Sequence, residues 1–176
     1  MRSTTARSGF RCLAGAVVTA AVLATTSGCT VPVDAVAGVS VTGDGHLIGV
    51  MMVCGHRIDG ATLYVDDPHA DKTVTVGSWT ARPPLTHGLT TWPLQAPAAG
   101  WTATKPLGPL ASRTTYTLYG WTNDNSSSSG SISFTSADRS RLSPGRILYD
   151  TVSDNGDETT RAVSVAEFKT KACQDM

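Results

Sequence analysis

Charge is scarce in this chain, and what there is cancels. Lys and Arg number 14, Asp and Glu 14, and together they make up 16% of the 176 residues, which is low for a cytosolic enzyme. A chain without net charge has no sequence-wide reason to seek nucleic acid or an anionic lipid surface, since either calls for a basic face. Histidine is also sparse: His46, His56, His69 and His87 are all there are. There is no His-x-x-x-His, Cys-x-x-Cys or Gly-x-Ser-x-Gly pattern, and no glycine-rich phosphate loop. The usual sequence marks of zinc, redox, hydrolase and nucleotide chemistry are therefore missing, and no cofactor is expected. Thr, Ser, Gly and Ala take the place of the charges, a mixture that suits an exported β-rich domain better than a helical one.

The N-terminus reads as that of an exported chain. Arg2, Arg7 and Arg11 form a positive segment, and Leu13 to Leu23 is an apolar run that then gives way to Ala24-Thr-Thr-Ser-Gly-Cys29. The run is too short to span a bilayer comfortably, so an export signal is expected over 1–28, with a single membrane anchor as the alternative. Ser27-Gly28-Cys29 resembles the lipobox of bacterial lipoproteins, although Thr26 stands where an aliphatic residue is usual. The resemblance implies diacylation of Cys29. The alternative is an ordinary signal-peptidase site nearby, which leaves Cys29 a plain thiol. Of the four cysteines, Cys12 departs with the signal. If Cys29 carries lipid, Cys54 and Cys173 remain as a pair in an oxidising compartment; if it does not, one of three is orphaned. A bridge closing so long a loop contributes on the order of 3–5 kcal/mol in the chain-entropy model.

The mature chain is long enough for one domain with a proper core. Residues 29–37 read as a tether between lipid and fold. Val39 to Thr42, a Gly43-Asp-Gly45 turn and His46 to Cys54 read as a hairpin. Its second strand is apolar on both parities, with Ile48, Val50 and Met52 on one side and Leu47, Met51 and Val53 on the other. A strand of an open sandwich has a polar outer face, so something must cover this one. Ile58 to Val65 and Thr73 to Thr80 form a strand–turn–strand unit around a polar turn. Arg82 to Gly100 is Pro- and Gly-rich, with a short edge segment at Trp92-Pro-Leu94, and Trp101 to Thr104 is a further strand.

Leu110-Ala-Ser-Arg-Thr-Thr-Tyr116 then enters an alternating strand to Trp121. After it come Asn123 to Gly130, read as a flexible loop with its tip in the serine run 126–129, and a last strand at Ser131 to Thr135. This end of the chain resembles a fibronectin type III domain, with Ala111-Ser112-Arg113 where glycine or proline is usual. The resemblance implies an antiparallel immunoglobulin-like β-sandwich over 38–135, and a Tyr116 hydroxyl folded back onto nearby backbone. Residues 136–176 exceed what a sandwich needs. They read as a capped turn at Ser136 to Leu142, a short strand at Arg146 to Tyr149, and a helix from Ser164 with Glu167 at the capping-box spacing. Val165, Phe168, Ala172 and Cys173 share one stripe of that helix. A Cys54–Cys173 bridge would lay this extension over the doubly apolar strand as a clasp.

Three groups of residues are candidates for a site. On the strand from Tyr116, Leu118 and Gly120 point inward, which sends Tyr119 and Trp121 outward. With Trp79, Trp92 and Trp101 they could offer an aromatic platform for sugar or peptide, unless the tail helix packs on Tyr119 and Trp121 and buries them, the outcome favoured here. His56 with Asp59, at a strand end, is the one arrangement open to a hydrolase reading. The acidic turns around Asp66, Asp67, His69 and Asp71, and around Asp150, Asp154, Asn155 and Asp157, could ligate a hard cation but lack the alternating oxygen-ligand spacing with a central glycine. The expectation is a small lipoprotein resembling those of Gram-positive, actinobacterial type, held by its lipid on the outer face of the cell membrane. Its role is expected to be non-catalytic, binding or structural, with a cell-wall glycan or a protein as partner.

Overall fold

The structure, a computed structural model, describes residues 30–67, 72–152 and 155–176; Cys29 and the signal segment lie outside them. The fold is mainly β, with strands joined in one branched hydrogen-bonded sheet that folds into two layers around a core. β1 (Val33–Val41) and β2 (Leu47–Val53) form a hairpin in unbroken register from Ala35↔Val53 to Val41↔Leu47. Gly45 closes it with φ 81°, a conformation that a side chain resists. β5 (Gly88–Pro93) pairs with β2 along its whole length. The facing layer is built from β3 (Ile58–Asp67), β4 (Lys72–Leu85), β6 (Trp101–Lys105) and β7 (Tyr116–Trp121), with β9 (Ile132–Phe134) beside β7. β8 (Ser128–Gly130) ties the layers together, running parallel to β1 and meeting β7 at Trp121↔Ser128.

Alternation decides what fills the space between the layers. Ala35, Ala37, Val39 and Val41 of β1 and Leu47, Met51 and Val53 of β2 face Leu63, Trp79, Leu118 and Phe134. Three tryptophans close the core: Trp92 stacks on Trp101 at 4.1 Å between centroids and meets Trp79 edge-on at 6.3 Å. Trp79, Trp92 and Trp101 are therefore not part of any outer platform. Their large apolar area is spent on folding.

From Val33 onward the segment read as a tether is strand. β1 begins at Val33, and Ala35, Val36 and Ala37 are buried between β2 and β8. The corner before β7 forms as the tyrosine implied: the Tyr116 hydroxyl accepts a hydrogen bond from the Ala111 amide at 2.7 Å. Arg113 takes a φ of 65° within that corner.

The C-terminal extension is larger than a helix. Thr135 caps α1 (Ser136–Arg141) in a reciprocal box with Asp138. β10 (Arg146–Val152) joins β1 at Val39↔Leu148 and pairs with β11 (Glu158–Ser164), a strand not evident from the sequence. α2 (Val165–Lys171) follows, with Ser164 accepting from the Glu167 amide at 3.1 Å. Together β10, β11 and α2 roof the outer face of β1 and β2. Ile147, Tyr149, Val163, Phe168 and Ala172 pack there on Val36, Val50 and Met52. Burying Phe168 alone is worth about 1.5–3 kcal/mol. The Cys54–Cys173 disulfide rivets the roof at one end, with Cα atoms 5.6 Å apart. No helix among the described residues is long and apolar enough to cross a membrane.

Candidate functional site

Among the described residues, no such roof lies over the outer face of the second layer. α2 and its strands pack on β1 and β2, so Tyr119 and Trp121 are not buried by the tail, contrary to the favoured expectation. They are half-exposed, because β7 turns Tyr116, Leu118 and Gly120 into the core and its odd-numbered end residues out.

Register decides what stands beside them. β3 places Thr62 opposite Tyr119 and Gly60 opposite Trp121. Gly60 is required there, since a Cβ would lie 2.4 Å from Cζ2 of the indole. Trp121 Nε1 donates to Thr62 Oγ1 at 2.9 Å, which holds the ring in place. Tyr64, two residues along β3, meets Tyr119 edge-on with centroids 5.8 Å apart. Thr73 and Thr75 of β4 continue the surface on one side. Asn125, Ser128 and Ser131 bound it on the other, around a concavity of about 540 Å³, within the range of small-ligand sites. None of its lining residues carries a charge.

Sequence reasoning missed Tyr64 and the serines. Tyr64 carries an outward-parity signal of its own, but its place next to Tyr119 depends on β3 pairing with β7. The serine run, read as a flexible loop tip, is built into the fold. Ser127 and Ser129 are buried. Ser127 Oγ donates to Asp34 at 2.8 Å, and the Gly120 amide donates to Ser129 Oγ at 2.6 Å. The serine hydroxyl there serves a β7 amide at the point where the neighbour of β7 changes from β9 to β8.

The His56–Asp59 pair does not form. His56 is exposed and its Nδ1 lies 2.9 Å from Asp34 Oδ2, whereas Asp59 is buried, accepting from Arg57 Nε at 3.0 Å and the Asn123 amide at 2.8 Å. Hydrogen bonds from Ser127 and then His56 hold the Asp34 carboxyl below its ordinary pKa. Hydrogen bonds from the Ser126 hydroxyl and amide, with a smaller effect of the Arg57 charge, bring Asp124 down to about 2. These groups knit the start of β1, the β2–β3 turn and the β7–β8 turn together. Ser127 has its hydroxyl committed to the Asp34 carboxylate, at the same oxygen that His56 Nδ1 faces, so serine and histidine meet through the carboxylate between them.

Of the acidic turns, Asp66 accepts from Thr73 Oγ1, and Asp150 from Thr160 Oγ1 and the Ser133 amide. His69, Asp71 and Asp154 lie outside the described residues. Among the described residues, no three His, Cys, Asp or Glu side chains are placed to hold a metal ion. Comparison with protein-family models, curated proteins and solved structures finds no match to this chain.

Proposed function

We propose that this protein is a lipid-anchored, non-catalytic binding module on the outer face of the cell membrane, and that its ligand is a neutral glycan taken at Tyr119 and Trp121. The observation that carries the ligand reading is the uncharged hollow, uncovered by any described residue, in which Tyr64, Tyr119 and Trp121 stand among threonine and serine hydroxyls. Aromatic faces suit the C–H faces of sugar rings, and hydroxyls exchange hydrogen bonds with sugar hydroxyls. An uncharged lining has nothing with which to select a charged ligand. The anchor is read from Ser27-Gly28-Cys29 and the export signal before it. A diacylglycerol with an added amide-linked chain would hold the domain stably, where one chain is marginal.

Retention on purified cell wall and on insoluble polysaccharide, compared between the native chain and Trp121→Ala, tests the ligand. Equal retention of the two removes Trp121 from the site. Mass spectrometry of the mature N-terminus tests the anchor: the expected first residue is Cys29 bearing acyl chains, and an unmodified thiol there refutes lipidation.

A further inference from the structure

The hollow beside Trp121 has a neighbour. Across β8 a second concavity of about 430 Å³ lies between β1, β10 and the C-terminal residues. Ser129 and Ser131 line both. Val33, Val152 and Met176 border the second hollow, and they are three of the four exposed large apolar side chains among the described residues. Asp150, Glu158 and Asp175 stand among them, with no base in the lining.

What separates the hollows is low. The ridge is Ser129-Gly130-Ser131, so nothing larger than a hydroxymethyl group rises from it. Gly130 has no internal reason to be glycine. Its φ is not positive, and a Cβ would meet only the Ala35 carbonyl oxygen at 3.9 Å, an ordinary contact. Glycine in a strand costs stability and marks places where another group comes close to the backbone.

We propose that the two hollows are one groove, and that it binds an extended neutral glycan of several rings laid across β8. One ring lies against Trp121 and Tyr119, and the following rings pass over Gly130 towards Val152. This rests on the glycan reading of the Trp121 site and adds the ligand's length and path. Charge counts against an anionic chain: the first hollow has none, and the three carboxylates of the second repel an anionic polymer while accepting hydrogen bonds from sugar hydroxyls.

The test is calorimetric titration of the full chain in detergent with N-acetylglucosamine oligomers and glucose oligomers, from disaccharide to hexasaccharide. Within at least one series, affinity is expected to rise about tenfold or more from shortest to longest. Gly130→Val, which raises the ridge at a position with room beneath it, is expected to remove that rise and leave disaccharide affinity in place. Gly130→Ala, with a thermal melt of each variant, keeps the comparison to folded protein. Equal affinity at all lengths, or a rise that survives Gly130→Val, overturns the continuous groove and leaves the Trp121 site standing. Absence of binding at every length in both series overturns the glycan reading and the groove together.

Discussion

Gly38 of β1 lies directly under Ile147 of β10: a Cβ at residue 38 would stand 2.8 Å from Ile147 Cγ2 and 3.1 Å from the Leu148 carbonyl oxygen. The close approach of the roof to the sandwich therefore depends on a missing side chain. Gly38→Ala is expected to destabilise the fold by about 1–3 kcal/mol through overpacking. Chemical denaturation measures it. An unchanged midpoint would show that the roof does not sit this close.

The disulfide joins residues 119 apart in sequence, so its removal should be felt mainly in the unfolded chain. Replacing both Cys54 and Cys173 by Ser is expected to cost roughly 2–5 kcal/mol. With the bridge intact, limited proteolysis should spare the junction between α1 and β10. Cutting at the α1–β10 junction that leaves the core folded, with residues 143–176 held only by the disulfide and released on reduction, would refute the clasp.

Tyr116 offers a narrower test. Tyr116→Phe keeps the ring in the core and leaves the Ala111 amide without its acceptor, for an expected loss of about 1–2 kcal/mol in denaturant unfolding. A change near zero would mean that water replaces the hydroxyl.

Acid should loosen the end of the molecule where β1 starts. Asp34 and Asp124 both have folded pKa values depressed below the ordinary 3.8, Asp124 to about 2. A depressed carboxylate adds stability that is present above its unfolded pKa and lost as pH falls through the folded value. Thermal stability should therefore decline as pH drops from about 4 towards 2. Asp34→Asn and Asp124→Asn should each flatten that decline, as melting curves across the range would show. A profile identical to that of the native chain would remove the residue from the account.

The sequence spoke most clearly where the physics was local. Turn signals and β-branched content placed β2 and β3, and period-two alternation placed β7 and told Tyr116, Leu118 and Gly120 from Tyr119 and Trp121, because neighbouring side chains on a strand must point to opposite faces. The apolar outer parity of β2 demanded a cover, and Ser164 with the Phe168 stripe announced the helix that provides part of it. β11 gave no such signal, since only Val163 of its seven residues is buried and the rest of the strand has no apolar face to repeat. The Ser126–Ser129 run was misread for a related reason: composition suggests flexibility, while its order comes from partners in β1 and β7 far along the chain.

By itself, then, the sequence determined a β-rich domain and a strand that could not be left bare; the tyrosine-locked corner came from the fibronectin type III resemblance, and the Cys54–Cys173 pair followed only on the reading that Cys29 carries lipid. Only the tertiary structure decided which face the tail covers. The extension settled on β1 and β2, leaving Trp121 open and bringing Tyr64 beside Tyr119. The reason is that alternation states which side chains leave the core but not what meets them outside. That depends on strand order and on how closely the facing surfaces pack, as at Gly38 beneath Ile147.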